Sequence, residues 1–116
     1  MDNQAIIDLP TFEALKDAMG ADFIGELVQA YFEETPGLLT QLNEAFTRQD
    51  AEEFRRAAHS IKSTSNSFGA LAFGALAKEL ELMGKDQHLE GAAGKLEKLS
   101  ADYALVQTRL KELCHD

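Results

Sequence analysis

A histidine and a lysine stand three residues apart in the stretch AAHSIKSTSNSFGA, which covers residues 57–70. The imidazole of His59 can act as a nucleophile near neutral pH, because the ordinary pKa of histidine, about 6.5, leaves it largely uncharged. Lys62 and Arg55 lie about one helical turn from His59 and can offset the negative charge of a phosphoryl group on the imidazole. The residue types and their spacing therefore favour phosphoryl chemistry at His59.

His59 lies outside the apolar face of the helix that is predicted to carry it. At 100° per residue, His59 falls about 140° from Phe54, whereas the residues of the apolar face cluster within about 40° of that residue. His59 is thus predicted to be exposed or at the rim of the core. Ser63 and Asn66 fall on the same flank as His59, and the serines around them leave this surface uncrowded for a partner. The apolar face consists of Phe54, Ala58, Ile61, Ser65 and Phe68.

Two helices are predicted before the histidine helix. A short one begins at Pro10, which suits a first turn, and stops at Gly20. A longer helical pattern runs from Asp22 to about Phe46. Pro36 lies inside this pattern, so the segment is either one kinked helix or two helices. The apolar residues of the pattern are Phe23, Leu27, Tyr31, Leu38, Leu42 and Ala45.

Three helices are predicted from the histidine onward. The histidine helix follows Asp50, a good N-cap, and breaks at Gly69. The next helix starts at Ala70 and is expected to end at Gly84, where the polar loop GKDQH begins. The last helix shows a heptad seam, and the predicted fold is an all-α, up-down four-helix bundle with a short additional N-terminal helix. The seam consists of Leu89, Ala92, Leu96, Leu99, Tyr103, Val106, Leu110 and Leu113.

The composition describes an acidic globular protein of 116 residues with a net charge of −9. This length favours a single domain over residues 1–116, and the charge disfavours partners such as nucleic acid and anionic membranes. No apolar run approaches the roughly 20 residues of a membrane span, and the N-terminus lacks signal-peptide features, so we expect a cytoplasmic location. The single cysteine, Cys114, cannot form an internal disulfide. His88 and His115 do not form a metal-binding set with His59.

The stretch AHSIKSTSNSFGA resembles the signature of histidine-containing phosphotransfer domains, the HPt family. That signature is roughly Ala-His-x-Leu-Lys-Gly-Ser-Ser/Ala-x-x-Leu-Gly-Ala. The resemblance covers essentially the whole chain, since family members are four-helix bundles of about this length with the histidine in the middle of a bundle helix. The positions that match in register are Ala58, His59, Ile61 for leucine, Lys62, Ser65, Phe68 for leucine, Gly69 and Ala70.

The resemblance implies that His59 is the phosphoacceptor and that Lys62 stabilises charge during transfer. Family members often carry glycine after the lysine, where this chain has Ser63. They also tend to carry a polar residue on the next helix that hydrogen-bonds the other imidazole nitrogen, and Glu81 has suitable spacing for that role. The supporting residues expected around the site are Arg55, Ser63, Asn66 and Glu81.

The implied function is that of a phosphorelay shuttle in two-component signal transduction. His59 would accept a phosphoryl group from the aspartyl phosphate of one response-regulator receiver domain and pass it to another, with a sensor kinase, expected to be a hybrid histidine kinase, upstream. The receiver would supply Mg²⁺, so the chain needs no cofactor of its own and is expected to work as a monomer. It lacks a glycine-rich phosphate loop and is therefore expected to be neither a kinase nor another enzyme.

Two other functions compete with this interpretation. In a hydrolase, His59 would be the base for Ser63, four residues along the helix, but the sequence indicates neither an acid to orient the base nor an oxyanion hole. In a structural adaptor, the seam of the last helix would form a dimer. The seam is better explained by the bundle core, because every other helix also needs a partner for its apolar stripe.

Overall fold

The structure, a computed structural model, describes residues 6–114, which form five α-helices and no β-strand. The helices are α1 (Leu9–Met19), α2 (Ala21–Arg48), α3 (Ala51–Ser67), α4 (Leu71–Lys85) and α5 (Ala92–Cys114). The last four pack into a bundle, and the short α1 contacts α2 and α3. This confirms the predicted four-helix bundle with an additional N-terminal helix. No helix in the described part of the chain has the length and apolar content needed to cross a membrane.

The segment that contains Pro36 forms one helix rather than two. Pro36 is exposed on α2, and the buried face of α2 continues on both sides of it. The placement of Phe23 in the apolar stripe of this helix is wrong, because its side chain is 44% exposed and the buried stripe begins with Ile24. The buried residues of α2 are Ile24, Val28, Tyr31, Thr35, Leu42 and Ala45.

The histidine helix α3 has the N-cap and the apolar face that the sequence predicts. The side chain of Asp50 accepts a hydrogen bond from the backbone N–H of Glu53 at 3.1 Å, which satisfies one of the free donors of the first turn. Beyond the helix, Gly69 has a φ of +91°, a backbone conformation that glycine adopts readily. Its carbonyl accepts a hydrogen bond from the backbone N–H of Asp8 at 2.8 Å. The segment before α1 therefore closes over the end of α3.

Gly84 lies inside the last turn of α4 and does not end the helix, contrary to the prediction. The helix continues to Lys85, and the backbone N–H of Asp86 donates to the carbonyl of Leu82 at 2.9 Å. Gly84 is buried against α3, so its missing side chain permits a close contact between helices. The polar loop consequently begins at Asp86.

The apolar seam of the last helix is buried along its whole length, from Leu89 to Leu113. The helix itself begins at Ala92, and Leu89 is buried from within the preceding loop. Because the seam faces the other helices, it is not free to form a dimer, and the adaptor interpretation loses its main support.

A buried hydrogen bond ties α3 to α2. The hydroxyl groups of Tyr31 and Ser65 lie 2.7 Å apart in the core. Burial raises the pKa of Tyr31 to about 12, although the hydrogen bond with Ser65 acts in the opposite direction. This polar contact adds a directional constraint to the packing of α3 on α2.

Candidate functional site

His59 lies in the middle of α3 with its side chain 51% exposed to solvent. Ala58 and Ile61, on either side of it along the helix, are fully buried. Their burial fixes the rotation of α3 and turns the imidazole outward, as the helical periodicity predicts.

Glu81 of α4 bridges the two principal side chains of the site on α3. Its Oε2 lies 2.8 Å from Nδ1 of His59, and its Oε1 lies 2.9 Å from Nζ of Lys62. Glu81 is only 16% exposed. Its burial acts to raise the pKa of Glu81, but the hydrogen bonds from Lys62 and His59 outweigh that effect and lower the pKa below its ordinary value. The carboxylate is therefore ionised at neutral pH.

The ionised carboxylate determines which imidazole nitrogen carries the proton. An ionised carboxylate can only accept hydrogen bonds, so Nδ1 of His59 must be the donor to Glu81. In the neutral imidazole, Nε2 then holds the lone pair. Because the side chain is half exposed, the site presents a nucleophilic nitrogen at the protein surface.

Arg55 lies one turn before His59, but its guanidinium is engaged elsewhere. Its Nε and Nη2 donate to the two carboxylate oxygens of Glu52 at 3.1 Å and 2.6 Å. The structure therefore brings Glu81 and Lys62 to His59 and directs the cation of Arg55 to its own helix.

Ser63 and Asn66 are both exposed on the flank of α3. The hydroxyl of Ser67 donates a hydrogen bond to the backbone carbonyl of Ser63 at 3.2 Å. Among residues 6–114, the hydroxyl of Ser63 itself has no side-chain partner. The acid that a hydrolase would need is present after all, as Glu81, but the serine hydroxyl is not hydrogen-bonded to His59. The geometry therefore supports a nucleophilic histidine without a serine nucleophile.

The residues that bring α3 and α4 together were not identified from the sequence as part of the site. Gly74 and Gly84 are buried on the side of α4 that faces α3, and an added Cβ at either would collide with α3. The signal was present in the apolar stretch LAFGALAKELELMG, where two glycines recur inside a helical pattern. A glycine inside a helix costs about 0.5–1 kcal/mol relative to alanine, so its presence there calls for a packing reason.

The described part of the chain contains no metal-binding cluster around His59. No three histidine, cysteine, aspartate or glutamate side chains of residues 6–114 converge as a metal site. His88 lies 3.4 Å from Glu90 in an exposed loop, and His115 lies outside the described residues. A groove of about 590 Å³ between α2 and α5 is lined by other residues, among them Leu39 and Ser100.

Comparison with known proteins shows the family. The Hpt domain model matches residues 26–116. Pseudo histidine-containing phosphotransfer protein 2 of Oryza sativa subsp. japonica is 25% identical over 101 residues, which are 85% of this chain and 67% of that protein. Histidine-containing phosphotransfer protein 5 of Arabidopsis thaliana is 24% identical over 102 residues, 85% of this chain and 65% of that protein. The chain thus spans about two thirds of the length of these relatives.

A solved structure has the same fold. Histidine-containing phosphotransfer protein B (HptB) from Pseudomonas aeruginosa PAO1 superimposes with a TM-score of 0.90 at 25% sequence identity, and the match covers 97% of each chain. One of the relatives is named a pseudo phosphotransfer protein, so similarity alone does not assign a phosphoacceptor, and the role of His59 has to be argued from its site. Because the family match extends over most of its length, the chain belongs to the Hpt domain family, whose members are the phosphotransfer carriers of two-component signalling.

Proposed function

We propose that this chain is a phosphorelay shuttle in which Nε2 of His59 accepts a phosphoryl group from the aspartyl phosphate of a receiver domain and passes it to another receiver. The observation that carries the proposal is the 2.8 Å contact between Glu81 and Nδ1 of His59. In the neutral imidazole this contact leaves the lone pair on Nε2, and the side chain is half exposed, which is the arrangement that a nucleophile requires.

The transfer of the phosphoryl group to His59 requires no proton transfer. The lone pair of Nε2 attacks the phosphorus atom and forms an N–P bond, while the bond from phosphorus to the aspartate oxygen breaks and its electron pair leaves with the carboxylate. The imidazole ring gains positive charge, and the carboxylate of Glu81 stabilises that charge through the Nδ1 proton. In the onward step an aspartate oxygen of the second receiver attacks phosphorus, and the N–P bond breaks with its electron pair returning to Nε2.

Lys62 provides positive charge for the incoming phosphoryl group. It is three residues from His59 on α3, and its ammonium group binds the same carboxylate of Glu81 that binds the imidazole. Phosphoryl transfer depends mainly on positioning and on electrostatic stabilisation, so a cation here lowers the barrier as negative charge accumulates on the transferred oxygens. The receiver brings the aspartyl phosphate and Mg²⁺, and this chain contributes no cofactor.

An open surface around His59 suits a reactant that is carried by another protein. The partners in this proposal are response-regulator receiver domains and a sensor histidine kinase, expected to be a hybrid one. Hpt proteins are carriers rather than kinases, and the sequence contains no glycine-rich phosphate loop that would bind ATP. We propose that the protein works as a monomer, since the apolar stripes of its long helices are buried within one chain. We also propose a cytoplasmic location.

The test is the loss of phosphate acceptance in the variant His59→Gln. Labelling from a phosphorylated receiver and from phosphoramidate should both disappear, while the free energy of unfolding stays within about 0.5 kcal/mol of the parent, because exposed positions have small effects on stability. The matched control is His88→Gln, which alters an exposed histidine in the loop after α4 and should leave labelling unchanged. Acid-labile phosphate on the His59→Gln protein would overturn the assignment.

A further inference from the structure

Small residues line the contact between α3 and α4 next to the site. On α4, Gly74, Ala77, Glu81 and Gly84 follow one another at steps of three and four residues, so they share one face of the helix. Gly74, Ala77 and Gly84 are buried, and Glu81 is the one member of this set with a long side chain. This face of α4 therefore lies close to α3 and also carries the carboxylate of Glu81, which reaches across to α3.

At Gly84, backbone atoms of α3 limit how closely α3 and α4 can approach each other. A Cβ added to Gly84 would lie 2.8 Å from the backbone nitrogen of Arg55, 2.9 Å from the Cα of Arg55 and 2.9 Å from the carbonyl oxygen of Ala51. Contacts this short do not occur for real Cβ atoms, and a helical backbone cannot turn aside as a flexible side chain can. A side chain at this position therefore has to push α3 and α4 apart.

This contact lies about one turn from the site on both helices. Gly84 follows Glu81 by three residues on α4, and Arg55 precedes His59 by four residues on α3. We propose that Gly84 is a positioning residue for phosphotransfer: by letting the two backbones touch, it brings the carboxylate of Glu81 within hydrogen-bonding distance of His59 and Lys62 together. The inference rests on the proposed function of His59, but the proton position on the imidazole can be measured without any phosphotransfer.

Gly74 supplies a matched control on the same face of α4. A Cβ added there would lie 2.0 Å from Oδ1 and 2.8 Å from Cγ of Asn66, and the three atoms nearest to it all belong to that side chain. Asn66 is exposed and can swing into solvent. The two glycines thus differ in the obstacle that an added Cβ would meet, which is a movable side chain at Gly74 and a backbone at Gly84.

The experiment compares Gly84→Ala with Gly74→Ala in the whole chain. The nitrogen NMR shifts of His59 report which ring nitrogen carries the proton, and phosphoramidate labelling reports the reactivity of Nε2. Gly84→Ala should lose the preference for a proton on Nδ1 and should be labelled about tenfold more slowly, as expected for the loss of one hydrogen bond. Gly74→Ala should keep both properties. In a Glu81→Ala background, Gly84→Ala should cause no further change, because its effect passes through Glu81.

Two outcomes would overturn the proposal. One is a Gly84→Ala protein that retains the parent's nitrogen shifts and labelling rate. The other comes from Glu81→Asp, which withdraws the carboxylate by one methylene group and leaves the contact between α3 and α4 unchanged. This variant tests the proposal even if Gly84→Ala does not fold. Glu81→Asp should reproduce the changes in nitrogen shifts and labelling rate predicted for Gly84→Ala. Nitrogen shifts like those of the parent would show that the site tolerates displacement of the carboxylate, which would contradict the proposal. If His59→Gln still accepted phosphate while Gly84→Ala altered the nitrogen shifts, the proposed function would fail and the positioning role would stand.

Discussion

At the scale of single residues, the carboxylate of Glu81 links a nucleophile and a cation. Its two oxygens lie 2.8 Å from His59 and 2.9 Å from Lys62, so each side chain is held by a different oxygen. The ion pair between Glu81 and Lys62 neutralises the charge of the ammonium group before a phosphoryl group arrives. The hydrogen bond between Glu81 and His59 orients the imidazole ring. Because the pKa of Glu81 is lowered, both contacts persist at neutral pH.

The variant Lys62→Ala should slow transfer more than it weakens the binding of a receiver. The ammonium group stabilises charge that develops as the phosphoryl group moves, so its loss appears mainly in the rate. A charged hydrogen bond of about 1.5–3 kcal/mol corresponds to a rate roughly tenfold to hundredfold lower. Single-turnover transfer from a phosphorylated receiver measures this rate. Lys98→Ala, on the far helix α5, is the control, and equal rates for Lys62→Ala and the parent would remove Lys62 from the mechanism.

At the scale of elements, α2 is the helix whose sequence argues most strongly against continuity. Pro36 lacks the N–H that would bond to the carbonyl of Phe32, and its ring crowds that carbonyl. The helix nevertheless continues from Ala21 to Arg48. Packing of the buried residues before and after Pro36 against the bundle offsets the local cost, as is usual when tertiary contacts oppose propensity.

The variant Pro36→Ala should therefore stabilise the protein by about 2 kcal/mol. The expected gain is the roughly 3 kcal/mol difference in helix propensity, reduced by the greater freedom that alanine gives the unfolded chain. Urea unfolding followed by circular dichroism measures the change in the free energy of unfolding. Gly37→Ala is a useful comparison, because a Cβ at Gly37 meets no atom within 4 Å. This variant should raise the free energy of unfolding by about 0.5–1 kcal/mol. An unchanged or lower stability of Pro36→Ala would show that the proline is accommodated without cost.

At the scale of the whole molecule, the helix that carries the site is less acidic than the two helices before it. The net charge is −9, and acidic side chains outnumber basic ones on α1 and α2. The helix α3 reverses this balance, with Arg55, Arg56 and Lys62 against Glu52 and Glu53. The site is thus an open and locally less acidic surface of an acidic protein, which suits the approach of a phosphorylated protein.

The variant Ser63→Gln tests whether small side chains beside His59 admit a receiver. Glutamine is uncharged and compatible with a helix, so the bundle should not change. Its longer side chain would stand where the receiver must approach, and a steric cost of about 1–3 kcal/mol corresponds to roughly fivefold to hundredfold weaker binding. Receiver binding and transfer should both fall, whereas phosphoramidate should label His59 at the normal rate. Ser100→Gln, which alters another exposed serine, on α5, is the control, and parent-like receiver binding by Ser63→Gln would exclude a docking role.

The sequence by itself determined the helices and the outward direction of His59. Both depend on local patterns: the apolar face of α3 from Phe54 to Phe68 is buried as predicted, and Asp50 caps the helix as its type and position suggest. Helical periodicity places a residue inside or outside the core without knowledge of the neighbouring helix, because burying one apolar stripe fixes the rotation of the whole helix. The phosphotransfer signature is equally local, since it lies within one continuous stretch.

Only the tertiary structure decided how α3 and α4 meet, and with it the geometry around His59. The contact between His59 and Glu81 joins residues that are 22 positions apart, and its length depends on how closely two backbones approach. Gly84 shows the difference: in the sequence it has the features of a helix end, whereas in the bundle it is the point where α4 touches the backbone of Arg55. The engagement of Arg55 by Glu52 likewise depends on side-chain conformation rather than on spacing. Distances between helices are set jointly by the side chains of both, and a pattern read along one segment does not contain them.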